Sequence, residues 1–270
     1  MATSSVLADA PRPPLRRAGV QRGIARIVAF LVFAGLWQAF ATSANSLLIP
    51  TFTATVSAFL RLIASSELWR ALLVSNQALV IGFGASVVIG IPVGLLIGRF
   101  RILEKVADPY VSIMLVTPMA AIIPLMVMSV GIGLASRAML VALFALPMVI
   151  VNTRAGVRQV DDRLVEMARS YNATERQIWT RILLRGAMPG VMAGVRIGLG
   201  RGITGMVVVE LLMVSVGLGG LILEYRAFFR TADLYAVVIV VVLEALVLVS
   251  VAHRIERRMV PWAGDETGSA

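Results

Sequence analysis

Six apolar runs almost free of charge dominate this sequence, at about 27–41, 72–97, 111–132, 138–151, 191–214 and 234–251. A helix needs roughly 20 such residues to cross the hydrocarbon of a bilayer, where no water satisfies backbone N–H and C=O groups. A membrane β-barrel would instead show segments of about ten residues with alternating polarity, and none are visible here. Apolar residues make up 59% of the chain and its mean hydropathy is +0.88, against roughly 45–50% apolar in an ordinary soluble domain. The chain therefore reads as an all-α polytopic membrane protein of about six transmembrane helices, with the lipid bilayer as its solvent. The second run is long enough to tilt. The fourth is short for a span, which requires burial among neighbours or extension through Arg137.

Charge gives the orientation. Eighteen of the 25 Lys and Arg residues fall in the amino-terminal tail, 98–110, 152–190 and the carboxyl-terminal tail, all on one side of the membrane. Arg61, Arg70, Arg137, Arg226 and Arg230 fall on the other, and Arg196 and Arg201 lie inside the fifth run. The positive-inside rule puts both termini in the cytoplasm of a cell-membrane protein. Residues 1–22, rich in Ala, Pro, Arg and Ser, read as a disordered basic tail, 23–262 as the membrane domain and 263–270 as a second cytoplasmic tail. A signal peptide cleaved near Ala39-Phe40-Ala41 is disfavoured by the long basic region and the long apolar run. Within Thr53–Trp69, the spacing of Val56, Phe59, Leu60 and Ile63 predicts an amphipathic helix along the outer surface. The net charge of +10 is divided among loops, so no nucleic-acid partner is expected. With no cysteine and a single histidine, His253, no disulfide, metal centre or other cofactor is implied.

The loop 152–190 is too polar to lie in lipid and too patterned to be a linker. Asp161-Asp162 suits a helix N-terminus, Leu164, Val165 and Ala168 follow at helical spacing, and Asn172 tolerates the left-handed conformation that ends a helix. Thr174-Glu175-Arg176-Gln177 matches a capping box and opens a second helix carrying Ile178, Ile182 and Leu183. The pattern predicts helix–turn–helix on the cytoplasmic face, with Tyr171 and Asn172 at the corner. Such a hairpin either packs on its own membrane domain or docks a cytoplasmic partner.

Residues 152–200, with Glu166, Ala168, Asn172, Ala173, Pro189, Gly194, Arg196 and Gly198 in order, resemble the EAA signature of permeases of binding-protein-dependent ABC importers. Thr117-Pro118…Pro124, Gly131-Ile-Gly133 and Val209-Glu210…Gly217-Leu-Gly219-Gly are similar to the nitrate/sulfonate/taurine-type branch, and the likeness extends over roughly Ile49 to Trp262. The resemblance implies a type I importer permease, paired with a second permease chain (a homodimer), two cytoplasmic ABC ATPase subunits and an extracytoplasmic substrate-binding protein. It also implies that Glu166, Ala168, Asn172 and Ala173 form the surface that docks the ATPase. The cargo would be a small anionic or polar solute such as nitrate, a sulfonate, taurine or an organic acid. Three positions depart from the pattern: Asn172 replaces a usual Gly, Arg185 a usual Pro, and Met167 a usual Ala.

The chain itself offers no catalytic constellation. A P-loop needs Gly-Lys-Ser/Thr after a glycine-rich turn, and the one lysine, Lys105, lies in Leu103-Glu104-Lys105-Val106. ATP hydrolysis is therefore expected in a partner. The competing reading is an ion-coupled secondary transporter or channel subunit, for which Glu210 and Glu244 are candidate intramembrane acids. Arg201 and Glu244 fall at similar depth and are expected to pair, unless Arg201 lines the pathway and attracts an anion; Glu210 lies nearer the outer end, at a gate or in a structural hydrogen bond. Gly186, Gly190, Gly194, Gly198 and Gly202 recur every fourth residue, which predicts close helix packing within the chain or against a second copy. Pro92, Pro118, Pro124 and Pro147 predict kinks, with the third span the most bent.

Overall fold

The computed structural model describes residues 15–44, 46–213 and 215–261, with side chains described from residue 24. Eleven α-helices follow one another among the described residues, with no strand. They are α1 (Leu15–Ala44), α2 (Phe52–Ala64), α3 (Ser66–Arg99), α4 (Arg101–Val116), α5 (Met119–Val130) and α6 (Leu134–Arg158). After them come α7 (Asp162–Ser170), α8 (Glu175–Gln177), a π-helical stretch (Ile178–Leu183), α9 (Leu184–Leu212), α10 (Gly217–Ala227) and α11 (Thr231–Met259). Four helices are long and apolar enough to cross a membrane, and six spans result if each bent pair, α4 with α5 and α9 with α10, counts as one.

The core is a three-helix layer in which α6 lies between α3 and α9. Close approach is written into all three. A Cβ added to Gly82 or Gly94 of α3 would meet α6 backbone oxygen, Ala138 O at 2.2 Å or Ile150 O at 2.8 Å. On the other flank a Cβ on Gly190 of α9 would lie 2.5 Å from Gly156 Cα of α6. The four-residue glycine repeat thus packs helices of one chain, since Gly186, Gly190, Gly194 and Gly198 all turn toward α6 or the loop that follows it. α2 packs on α11, and α10 wedges among α3, α9 and α11. α1 leans on α2 through Trp37, whose Nε1 donates to Pro50 O at 3.0 Å and whose ring meets Phe52 edge-on. Most of its other apolar side chains face outward, as expected where lipid is the solvent.

Several boundaries shift. The first helix starts at Leu15, so the end of the tail 1–22 is helical; 1–14 and the tail 263–270 lie outside the described residues. α6 runs 25 residues, longer than 138–151. It reaches back through Arg137 and forward to Arg158, so 152–158 is helix and not loop. The third span, expected at 111–132, begins at Arg101 and breaks at Thr117-Pro118, where α4 and α5 meet at 97°. Thr117 is extended, the conformation imposed on a residue before proline. The helices run on through Pro92, Pro124 and Pro147. The amphipathic segment ends at Ala64, leaving Trp69 in α3, and its orientation is reversed. Thr55, Ala58 and Leu62 are buried against the protein while Val56, Leu60 and Ile63 point out: small residues let α2 approach α11, and the bulky face is left for lipid.

Candidate functional site

A buried carboxylate organises the end of the molecule where α10 begins. Glu210 retains 1% of its surface and Arg137 9%. Ser75 Oγ donates to Glu210 Oε2 at 2.9 Å, the Gly219 N–H donates to the same oxygen at 2.9 Å, and the Leu218 N–H donates to Ser75 Oγ at 2.9 Å. Arg137 Nη1 stands 3.8 Å from Glu210 Oε1 and donates to Val74 O at 3.4 Å. The carboxylate thus accepts the Gly219 N–H of the first turn of α10 and, through Ser75, holds the hydroxyl that accepts the Leu218 N–H; both groups would otherwise lack partners, and the network ties together α3, α6, α9 and α10. The glycines of Gly217-Leu-Gly219 follow from this. Gly217 has φ +63°, and a Cβ there would lie 2.5 Å from Glu210 Oε1; on Gly219 it would lie 2.5 Å from Glu210 Cβ. Arg137, counted above as an outer charge, and Ser75 are the members that sequence reasoning missed.

Arg201 and Glu244 do not pair. Glu244 Oε1 accepts from Asn76 Nδ2 at 2.5 Å, in a cleft walled by α2, α3 and α11. Arg201 is exposed on another face of α9, beside Met114, Thr117, Met119, Phe144 and Met148 in a cavity of about 200 Å³. The azimuth separates them: the glycine face of α9 turns to α6, and Arg201 falls off that face. Among the described residues Arg201 has no carboxylate within 4.0 Å. Arg196 pairs instead with Glu256 at 3.0 Å, joining α9 to the end of α11.

The polar hairpin takes the expected form. Asp161 Oδ1 accepts from the Arg163 N–H at 2.9 Å, Asn172 sits at φ +57°, and Thr174 and Gln177 satisfy each other's backbone N–H groups. Val165, Ala168, Ile178 and Leu183 close a small core of their own. Ala168 therefore packs inward, Ala173 is half-buried, and Glu166 and Asn172 are exposed. Leu164, Met167 and Tyr171 form an apolar outer edge, with Tyr171 82% exposed; the sequence reading named each of them separately and not as one docking edge, although their i, i+3, i+7 spacing was readable. From α8 the chain is helical through the π-helical stretch into α9, so Arg185 continues the helix where the family pattern has proline. Replacing Thr174 by Ala is expected to cost the hairpin about 1 kcal/mol. Hydrogen exchange should show faster exchange over 161–183 and unchanged protection in α6.

The comparisons with known proteins agree with one another. The family model described as "Binding-protein-dependent transport system inner membrane component" matches residues 90–263. A Bacillus subtilis (strain 168) chain, provisionally named as the aliphatic sulfonates transport permease protein SsuC, is 31% identical over 95% of this chain and 93% of its own length. The taurine transport system permease protein TauC of Escherichia coli (strain K12) is 32% identical over 74% of this chain and 73% of its own. Among solved structures, a chain of the MetNI methionine ABC transporter in an inward facing conformation superposes with a TM-score of 0.60 at 23% identity, over 72% of this chain and 94% of its own. That last likeness speaks for the fold alone. Family model and relatives together show that this chain belongs to the binding-protein-dependent transport system inner membrane components and is a permease subunit of an ABC importer.

Proposed function

We propose that two copies of this chain form the translocation pathway of an importer for a small anion, and that the hairpin 161–183 transmits the work of separate ATPase subunits. Both termini and the hairpin then lie in the cytoplasm, in keeping with the distribution of arginines, and an extracytoplasmic binding protein delivers the cargo to the other face. The observation that carries the coupling role is the outward apolar edge Leu164, Met167 and Tyr171 on a hairpin that already owns a closed core. An isolated polar loop gains nothing from exposing it; a docking helix does. Glu166 and Asn172 flank this edge, while Ala168 and Ala173 allow the two arms to close. Lacking the glycine-rich turn and Lys-Ser/Thr of a P-loop, the chain itself leaves hydrolysis to its partner.

Arg201 supports the anionic cargo. It is an exposed guanidinium without a carboxylate partner among the described residues, beside the break in α4–α5, and such a charge inside a span marks a solute path. The named cargoes of the relatives, sulfonates and taurine, carry a sulfonate whose oxygens suit a guanidinium. Glu244, hydrogen-bonded to Asn76 on a different face, takes no part.

Two measurements test this reading. Tyr171→Ala with Met167→Ala should weaken co-purification of the ATPase by tenfold or more, since anchors of this kind carry about 1–2 kcal/mol each, while the permease folds normally. Undiminished co-purification would refute the coupling role. Arg201→Gln should cut uptake of the anionic cargo by about tenfold or more, with ATPase binding intact, because a charge-assisted hydrogen bond contributes about 1.5–3 kcal/mol. Uptake equal to that of the parent would remove Arg201 from the path.

A further inference from the structure

At the end of α3 a small polar cavity of about 270 Å³ is lined by Arg99, Arg101, Arg158, Asp162, Gly98 and Leu183. Three guanidinium-bearing side chains thus converge on one opening between α3, α4, α6 and the hairpin. Arg158 is paired with Glu104. Arg99 and Arg101 have no carboxylate within 4.0 Å among the described residues, so the cavity holds unspent positive charge. Its depth is also defined. The 34-residue α3 ends at Arg99, and the next residue, Phe100, rests its ring 6.2 Å from that of Trp179. A Trp packed beside the end of a span suits the headgroup level of a bilayer. Directly beyond, α4 turns Ile102 and Val106 outward, 78% and 62% exposed.

We propose that this cavity is a binding site for an anionic phospholipid, with the headgroup phosphate on Arg99 and Arg101 and the acyl chains along the outer face of α4. Charge, depth and the neighbouring apolar strip match the three parts of such a molecule, and basic pockets between spans on the cytoplasmic side take acidic headgroups for this reason. A free phosphate would satisfy the arginines and leave Ile102 and Val106 without an occupant. Because Asp162 and Leu183 belong to the hairpin, a bound headgroup touches the segment through which, on the proposed function, the ATPase acts. Lipid binding itself does not depend on that role.

The test is a lipid titration of the purified full-length chain by native mass spectrometry. Phosphatidylglycerol should add at lower concentration than phosphatidylcholine. Arg99→Gln with Arg101→Gln should weaken the phosphatidylglycerol adduct about thirtyfold, roughly fivefold for each charge near the surface. Arg254→Gln with Arg257→Gln, at the far end of α11, should leave it unchanged. Equal binding of the two lipids by the parent protein overturns the proposal without any variant, as does a glutamine pair that titrates like the parent. Inorganic phosphate that displaces the adduct at the lipid's own concentration would identify a free-anion site instead and overturn the lipid assignment.

Discussion

Arg137→Leu is expected to destabilise the protein by about 3–5 kcal/mol, the cost of leaving a buried carboxylate without its countercharge. Glu210 is 1% exposed and cannot turn to water, so the loss falls on the fold. Thermal denaturation of the detergent-solubilised protein, followed by tryptophan fluorescence, measures it. The double variant Arg137→Leu, Glu210→Leu separates charge from hydrogen bonding. Replacing a whole buried pair by apolar groups is often neutral, but here Ser75 Oγ and the Gly219 N–H both donate to Glu210. Each would lose its acceptor, at about 1–3 kcal/mol per buried group. The double variant should therefore recover only part of the loss. Full recovery would mean that the carboxylate merely balances Arg137, and a single-variant cost below about 1 kcal/mol would put the pair in the class of exposed salt bridges.

What this network holds is α10, whose first N–H groups it accepts. Gly217→Ala attacks the same junction from the other side: φ is +63° there and a Cβ would sit 2.3 Å from Ser75 Oγ. The glycines and the acid of Val209-Glu210…Gly217-Leu-Gly219-Gly are thus one device, a carboxylate and the bare backbone it must reach. In an importer permease this fixes α10 against α3 and α9 independently of any cargo.

The uneven legibility of the sequence has a physical cause. The hairpin could be read almost atom by atom because its signals are local: Asp161 caps the next residues, Asn172 takes a conformation it tolerates, and Thr174 reaches Gln177 three positions on. The existence of the spans was legible from hydropathy, but their ends were not. Asn152, Arg154 and Arg158 are polar yet helical, with Arg154 and Arg158 spent on Asp108 and Glu104 of α4, and hydropathy cannot tell a paired charge on a helix from a loop. The pairing of Arg137 was not legible for a related reason. Its partner lies 73 residues further on, and no period or motif links them. For Arg201 and Glu244, matching positions along the two helices said nothing about rotation, although the glycine repeat already indicated which face of α9 turns inward.

Gly190→Ala should cost about 1–3 kcal/mol by overpacking, whereas Gly200→Ala, ten residues along the same helix, should stabilise by up to about 1 kcal/mol. Helix propensity favours both substitutions equally, so the difference isolates tertiary contact. A Cβ on Gly190 would stand 2.5 Å from Gly156 Cα and 2.8 Å from Asn152 O, both α6 backbone, while nothing lies within 4 Å of one on Gly200. Backbone cannot turn aside as a side chain can, so α9 must move bodily away from α6. Gly186→Ala is the intermediate case, because its obstacle is the Val160 side chain at 2.8 Å, which has some freedom to shift. Thermal denaturation should rank the three as Gly190 worst, Gly186 between and Gly200 mildest. The consequence for transport follows from where the crossing lies. α9 is continuous with the second arm of the hairpin, and Ala187 and Gly190 against Gly156 are where that rod bears on the end of α6. If the hairpin is moved by an ATPase, this contact is the fulcrum, and Gly190→Ala should lower uptake per ATP hydrolysed even at temperatures where the protein stays folded. A variant with parental stability and parental uptake per ATP would show that α6 and α9 meet with room to spare, which the 2.5 Å separation denies.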